Sequence, residues 1–263
     1  MGVQPTPAMI KRLFLDIETC PCIGSFWRPG YKVRLTGDNI ETHARIITAA
    51  YKWQHEPKVH ALEWSRPKKG DPFSQSDEKL VQLLVPVLDE ADEIIAHYGD
   101  GFDVPWIRTR ALYHGIITGV WKTVDTKAWA CKHFLLPTNK LDDIAQYLGL
   151  GKKLKTEYDL WRDITFKDDQ KKLRRMVEYN KHDVELLEKV YDHLKRYSPP
   201  PTHAGVHEGK GKYTCPECGG NPKHRARPMT SATGTVKHQM YCGRCPRYYT
   251  INNAAYKKWI KER

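Results

Sequence analysis

No apolar run in this 263-residue chain approaches the ~20 residues that a membrane-spanning helix needs. The segment Met1–Lys11 holds no long apolar core, so a secretory leader is not expected. No internal repeat is present. An apolar fraction of 40% with well-spread aromatics excludes a disordered chain. Cysteine is too scarce and too unevenly placed for a disulfide framework. Of seven, four form two C-x-x-C pairs, and Cys20, Cys22 and Cys131 are left over. An odd count with metal-type pairing suits a reducing, cytoplasmic setting. Acid is nearly missing from the last quarter. From Lys195 onward there are 14 Lys and Arg against three acids, which accounts for almost all of the formal net charge of +12. A folded basic module on a nearly neutral body favours a polyanion partner such as nucleic acid, with no membrane role. A merely solvated basic tail has no need of two Cys pairs.

The stretch Leu13-Phe14-Leu15-Asp16-Ile17-Glu18-Thr19 reads as a buried strand with two acids in its second half. An unpaired buried charge is costly, so these acids need a reason. Asp16 and Glu18 are two residues apart and point to the same face of an extended chain. Side by side they repel each other, and a divalent cation between them reverses the balance. The strand is therefore expected to floor a metal site whose other ligands come from downstream.

Further strands are expected at Arg45–Trp53, at Lys58–Trp64 as its antiparallel neighbour, at Glu93–His97 and at Val120–Asp125. Residues 20–38, rich in Gly, Pro and aromatics, read as a loop over the end of the first strand. Helices are expected over Ser76–Asp92 with Ser76 as cap and Pro86 as a kink, then over Val104–His114, Thr126–Phe134 and Lys140–Leu148. Asp103 ahead of Pro105 has the form of a helix cap. Residues 152–166 read as irregular and basic at their start, and a helix with a break near Asn180 covers Asp168–Tyr197. Strands alternating with helices, the first strands in hairpin order, indicate an α/β mixed sheet flanked by helices. On the last helix, Tyr179 and Asp183 are one turn apart and share a face.

Asp16-x-Glu18, Asp103 after Gly-x-Phe, and Tyr179-x-x-x-Asp183 together resemble the three motifs of the DEDD superfamily of 3′→5′ exonucleases, which has the RNase H-like fold. A Tyr four residues before the last Asp is similar to the DEDDy branch, and His182 does not stand where the DEDDh branch has its His. Arg45–Trp53, Leu141–Gly149 and Glu178–Val184 resemble the YprB-type ribonuclease H-like domains. Each motif is weak alone; three in order carry weight. The resemblance covers about 11–197 and implies two Mg²⁺ or Mn²⁺ ions about 4 Å apart, held by Asp16, Glu18, Asp103 and Asp183. Tyr179 would orient the attacking water, since a phenol with a pKa near 10 is a poor base at neutral pH. Asp100 is an alternative to Asp103. Asp125, Asp142 and Asp143 read as caps or surface acids, His97, His133 and His193 as satisfied or exposed, and Cys20 and Cys22 as structural.

Cys215-Pro-Glu-Cys218 and Cys242-Gly-Arg-Cys245 read as the two knuckles of a Cys₄ zinc ribbon holding one structural Zn²⁺. Gly219-Gly220 permits the left-handed turn after the first knuckle. Lys223, Arg225, Arg227, Lys237 and Arg247, interleaved with aromatics, suit contact with a nucleic-acid backbone and stacking on single strands. The expected organisation is a nuclease domain (1–197), a Pro/Gly-rich linker (198–211) and a basic zinc ribbon and tail (212–263). The expected activity is 3′→5′ exonucleolytic hydrolysis of single-stranded DNA or RNA, with replication or repair proteins as the class of protein partner. The rivals are a structure-specific endonuclease on the same fold and a nucleic-acid-binding replication accessory protein with a vestigial site.

Overall fold

A computed structural model describes residues 10–27, 36–69, 71 and 73–263. Most of the stretch Met1–Lys11 and part of the 20–38 loop lie outside the described residues. The chain divides into two compact units, Arg12–Val190 and one built chiefly from Tyr191–Arg263. Among the described residues no helix is long and apolar enough to cross a membrane.

The first unit is built on strand β1 (Arg12–Thr19). The next two strands, β2 (Ile23–Gly24) and β3 (Ile40–Thr42), form a small hairpin-like pair of their own. Then come β4 (Ile46–Trp53), β5 (His60–Glu63), β6 (Glu93–Ala96) and β7 (Thr123–Asp125). The main sheet has the order β5-β4-β1-β6-β7. β4 runs antiparallel to both β1 and β5, while β6 is parallel to β1 and β7, so the sheet is mixed. β1 is central, and Leu13, Phe14 and Leu15 are completely buried. Burial on both faces explains why its sequence is a continuous apolar run, not an alternating one.

The helices are α1 (Glu78–Glu90), α2 (Asp103–Tyr113), α3 (Thr126–His133), α4 (Leu141–Tyr147), α5 (Tyr158–Lys167) and α6 (Gln170–Leu194). Side-chain parity along β1 separates the two faces. Leu13, Leu15 and Ile17 pack with Leu80, Leu84 and Leu88 of α1 and Ile107 of α2. The opposite parity carries Phe14, Asp16 and Glu18. On that side Leu160 and Ile164 of α5 cluster with Leu173, Met176 and Tyr179 of α6.

Three local expectations need correction. Residue 76 is not the α1 cap; Asp77 is, and the Ser76 hydroxyl instead accepts from the Glu78 N–H. As expected, α1 contains Pro86, which is exposed, so water can serve the carbonyl that Pro86 leaves unbonded. The stretch 152–166 is helical from Tyr158. Its aromatic and β-branched residues have modest helix propensity, and packing of Leu160 and Ile164 overrides it. α6 is unbroken at Asn180, whose side chain is buried for a reason given below. Asp169 caps α6, accepting from the N–H groups of Lys171 and Lys172 at 3.0 Å each.

In the second unit a one-turn helix α7 (Ala204–His207) precedes β8 (Pro222–Thr230), β9 (Val236–Cys242), β10 (Tyr248–Asn252) and α8 (Asn253–Lys261). The three strands form an antiparallel sheet in the order β10-β9-β8. Residues 198–211 are tied into this unit, for the Ala204 N–H donates to the Pro216 carbonyl at 2.7 Å. A small core of Met240, Tyr249, Ile251, Ala255 and Trp259 surrounds two of the cysteines.

Candidate active site and cysteine cluster

β1 and α6 bring three acids together. Asp16, Glu18 and Asp183 each offer a carboxylate oxygen, all within 4.8 Å of one another. Strand periodicity places the first two on one face; helical periodicity places Asp183 opposite them. Asp183 is fully buried, and its Oδ1 has no hydrogen-bond partner. An orphaned buried carboxylate oxygen is the kind of group a cation satisfies. Asp103 stands outside this trio. It is the first residue of α2, not its cap, and its Oδ1 accepts from the Ile17 N–H of β1 at 3.0 Å. Asp100 is exposed and is not part of the group.

The electrostatics follow from this crowding. Burial, and then the charge of Asp183, pushes Asp16 up to about 7. Burial, and then Asp16, pushes Glu18 up to about 8. Asp103 is raised by burial and by Asp16. Asp183 is raised by burial against the opposing pull of Lys153. Asp16 and Glu18 are thus held where neither ionises easily without a cation.

Three neighbours were not anticipated from the sequence. Lys153 Nζ donates to Asp183 Oδ2 at 2.7 Å and to the Tyr179 hydroxyl at 3.3 Å. Its own backbone N–H is held by Asp142 Oδ1 at 2.7 Å, so Asp142 is more than a surface acid. Asn180 Nδ2 donates to Asp16 Oδ2 at 2.6 Å, which explains a buried Asn in mid-helix. Trp161 Nε1 donates to Glu18 Oε2 at 3.3 Å. A signal for Asn180 was available: Met176, Tyr179, Asn180 and Asp183 follow one another at helical spacing. For Lys153 and Trp161 there was none beyond a basic stretch after Gly151.

The remaining acids and histidines behave as the sequence implied. Asp125 caps α3, accepting from the Lys127 and Ala128 N–H groups. His97 is bonded through Nδ1 to the Thr126 hydroxyl and through Nε2 to the Asn139 carbonyl. His182 Nε2 is bonded to the Lys152 carbonyl at 2.8 Å, away from the acids. Cys20 is buried and accepts from the Arg45 N–H, a structural role.

In the second unit Cys215, Cys218, Cys242 and Cys245 bring their sulfurs within 4.8 Å of one another. None of the four is in a disulfide. The Arg244 and Cys245 N–H groups point at Cys242 Sγ at 3.3 and 3.4 Å. A Cβ at Gly220 would lie 3.2 Å from Cys218 Sγ and 3.3 Å from Cys242 Sγ. Glycine therefore keeps the centre of the cluster open, and the arrangement is compatible with a zinc ribbon.

Lys223, Arg225, Arg227 and Lys237 are all exposed on β8 and β9. Arg247 is not. It is 6% exposed, with Nη1 on Glu217 Oε2 at 3.2 Å and Nη2 on the Ser198 carbonyl at 2.8 Å. Its guanidinium is committed inside the unit, so Arg247 is withdrawn from the set of nucleic-acid contacts. The tyrosines divide as well. Tyr249 is buried and donates to the Tyr213 carbonyl, whereas Tyr248 is 56% exposed. Cross-strand register lines up His224, Tyr241 and Tyr248, with ring centroids 5.4 and 5.0 Å apart.

A family profile described as the RNase_H superfamily matches residues 42–195, more than half of the chain. The chain belongs to the RNase H superfamily. The matched residues contain Asp103, Tyr179 and Asp183, while Asp16 and Glu18 precede them. Among solved structures, a family B DNA polymerase from the hyperthermophilic archaeon Pyrobaculum calidifontis is similar, with a TM-score of 0.50 and 18% identity, covering 78% of this chain and 26% of that chain. At that identity the likeness establishes the fold, and this chain spans about a quarter of the polymerase's length. No curated protein matches the chain. The superfamily and the acid-lined fold support a nuclease.

Proposed function

We propose that this RNase H-like protein is a metal-dependent 3′→5′ exonuclease of the DEDDy type, acting on single-stranded DNA or RNA. The observation that carries the reading is the convergence of Asp16, Glu18 and Asp183 around the unpartnered Oδ1 of Asp183. Nucleases of this fold generally use divalent metals. The donor set fits Mg²⁺ or Mn²⁺, hard cations that prefer carboxylate oxygen. Asp16, Glu18 and Asp183 would hold two such ions, with Asp103 as the fourth ligand. When bound, the ions supply an activated water and stabilise charge on the phosphate and on the leaving 3′ oxygen.

The chain's own groups do the rest. Asn180 and Trp161 fix the orientation of Asp16 and Glu18, each through one hydrogen bond. Burial and Asp183 raise the Tyr179 phenol above its ordinary value, so it stays protonated and orients water as a donor. Asp183 raises the Lys153 ammonium in turn, which keeps a fixed positive charge beside the acids. That charge suits a phosphodiester oxygen.

The second unit acts as the grip. The four thiols would hold one structural Zn²⁺. The His224–Tyr241–Tyr248 row offers a stacking platform, and Arg227, registered opposite Gln239, shares its face of the sheet as a phosphate-binding cation.

The test uses a 5′-labelled single strand with Mg²⁺ or Mn²⁺. A ladder shrinking one nucleotide at a time from the 3′ end supports the reading. Discrete internal cuts at junctions would move the assignment to a structure-specific endonuclease. No metal-dependent cleavage of any DNA or RNA substrate would leave a binding protein.

A further inference from the structure

Outside the acid cluster, the first unit contains a cleft of about 370 Å³ between the start of β4, the entry to α1 and the end of α2. At its floor lies Arg45, only 7% exposed. Its Nη1 donates to the carbonyls of Phe73 and Gln75, each at 2.6 Å. Its Nε and Nη2 are buried with no partner, and no carboxylate among the described residues pairs with it. A cation–π contact with Trp64, at 5.4 Å, steadies the guanidinium but does not neutralise it. Beside it Gln75 is 2% exposed, with both amide atoms unpartnered. Buried charges and amides are normally paired. Here a cation and an amide, both lining one cleft, are not.

The acids nearby do not meet this need. Asp77 is saturated: it accepts from the Ile46 N–H, from Nε and Nη2 of Arg110 and from His114. Glu41 sits exposed at the mouth. The rest of the lining is Thr42, His43, Ser76, Arg110, Tyr113 and His114. Arg110 and His114 are committed to Asp77, whereas the Thr42 and Ser76 hydroxyls and the His43 imidazole can recognise an anion. Tyr113, 70% exposed, and Phe73, 36% exposed, add aromatic faces at the rim.

We propose that this cleft is a second, anion-binding site that takes the phosphate of a nucleotide, with Arg45 and Gln75 as its principal contacts. A phosphate oxygen would complete the buried, unpaired guanidinium edge and the Gln75 amide hydrogens, and Tyr113 would lie against the sugar or base. The cleft adjoins the catalytic end of β1. Arg45 is tied to Cys20 through both backbone groups, its carbonyl accepting from the Cys20 N–H at 3.0 Å. Cys20 is two residues beyond Glu18. The phosphate therefore belongs either to a free mononucleotide or to an internal position of a bound strand.

The test uses the full-length protein in EDTA, so that catalytic metal contributes nothing and failure of the nuclease reading leaves the result intact. Inorganic phosphate and dTMP are titrated by ³¹P line broadening, and a labelled oligo-dT competes with dTMP. Saturable dTMP binding is expected. His43→Glu, a charge change at an exposed rim position, should weaken it about tenfold or more with an unchanged melting curve. Arg45→Met should abolish it, and Asp183→Asn should leave it as in the wild type. Competition by oligo-dT assigns the site to a strand phosphate; its absence assigns it to a free nucleotide. Wild-type protein that binds neither phosphate nor dTMP, or folded His43→Glu and Arg45→Met proteins that bind like the wild type, would overturn the proposal.

Discussion

Loading the acid cluster with metal should release protons, and the number follows from the geometry. Burial and mutual repulsion hold Asp16 at about 7 and Glu18 at about 8. Both values lie above those of the unfolded chain, so the folded protein binds the extra protons. Their stabilising contribution is complete below about pH 4 and is lost as pH rises through 7 and 8. At pH 6.5 these two groups hold about 1.7 protons between them, and at pH 8.5 about 0.3. Metal ligation requires the ionised form. Titrating Mn²⁺ calorimetrically in two buffers of different ionisation enthalpy reads the proton count directly. At pH 6.5 Asp16 and Glu18 should release about 1.7 protons, and at pH 8.5 about 0.3. Apparent affinity should rise with pH across the same window. A count near zero at pH 6.5, or one that does not fall with pH, would refute the argument that these carboxyls share a crowded, cation-demanding site.

Stripping zinc with a strong chelator should unfold the second unit, because its small core cannot stand alone. Loss of about one zinc per chain, in step with loss of near-ultraviolet dichroism, checks this, and Cys218→Ser should mimic it. Lys153→Met should lower cleavage on the order of 10²-fold with little change in substrate affinity, measured as kcat and KM separately. Lys223→Glu with Arg225→Glu should weaken single-strand binding and flatten its salt dependence by about one to two phosphate contacts. Tyr248→Ala should cost ~1–3 kcal/mol of binding at every salt concentration. Arg247→Ala should instead destabilise the unit, because it breaks the buried ion pair with Glu217 and the bond to the Ser198 carbonyl, seen as a lower melting temperature.

What could be read from the residues was what repeats or alternates. The parity of Asp16 and Glu18 and the one-turn spacing of Tyr179 and Asp183 announced a shared site, and three of the four acids do meet. The mixed sheet followed from the order of strand and helix patterns. What stayed hidden depends on contacts between distant segments. Lys153 reaches Asp183 from a loop with no periodicity of its own. α5 forms because Leu160 and Ile164 find a core, not because its sequence favours a helix. Arg247 looked like any other basic residue until the fold enclosed Glu217 beside it. Asp103 had the form of a cap, yet its carboxylate turns to β1, because the backbone N–H of Ile17 is the donor within reach.

The most direct test of the central claim is anomalous diffraction from crystals soaked in Mn²⁺. The account predicts manganese peaks between Asp16, Glu18 and Asp183, with Asp183 Oδ1 as a ligand, and their loss in Asp183→Asn. Saturating Mn²⁺ that leaves this trio without a peak, its acids still paired as Asn180 to Asp16 and Lys153 to Asp183, would contradict it.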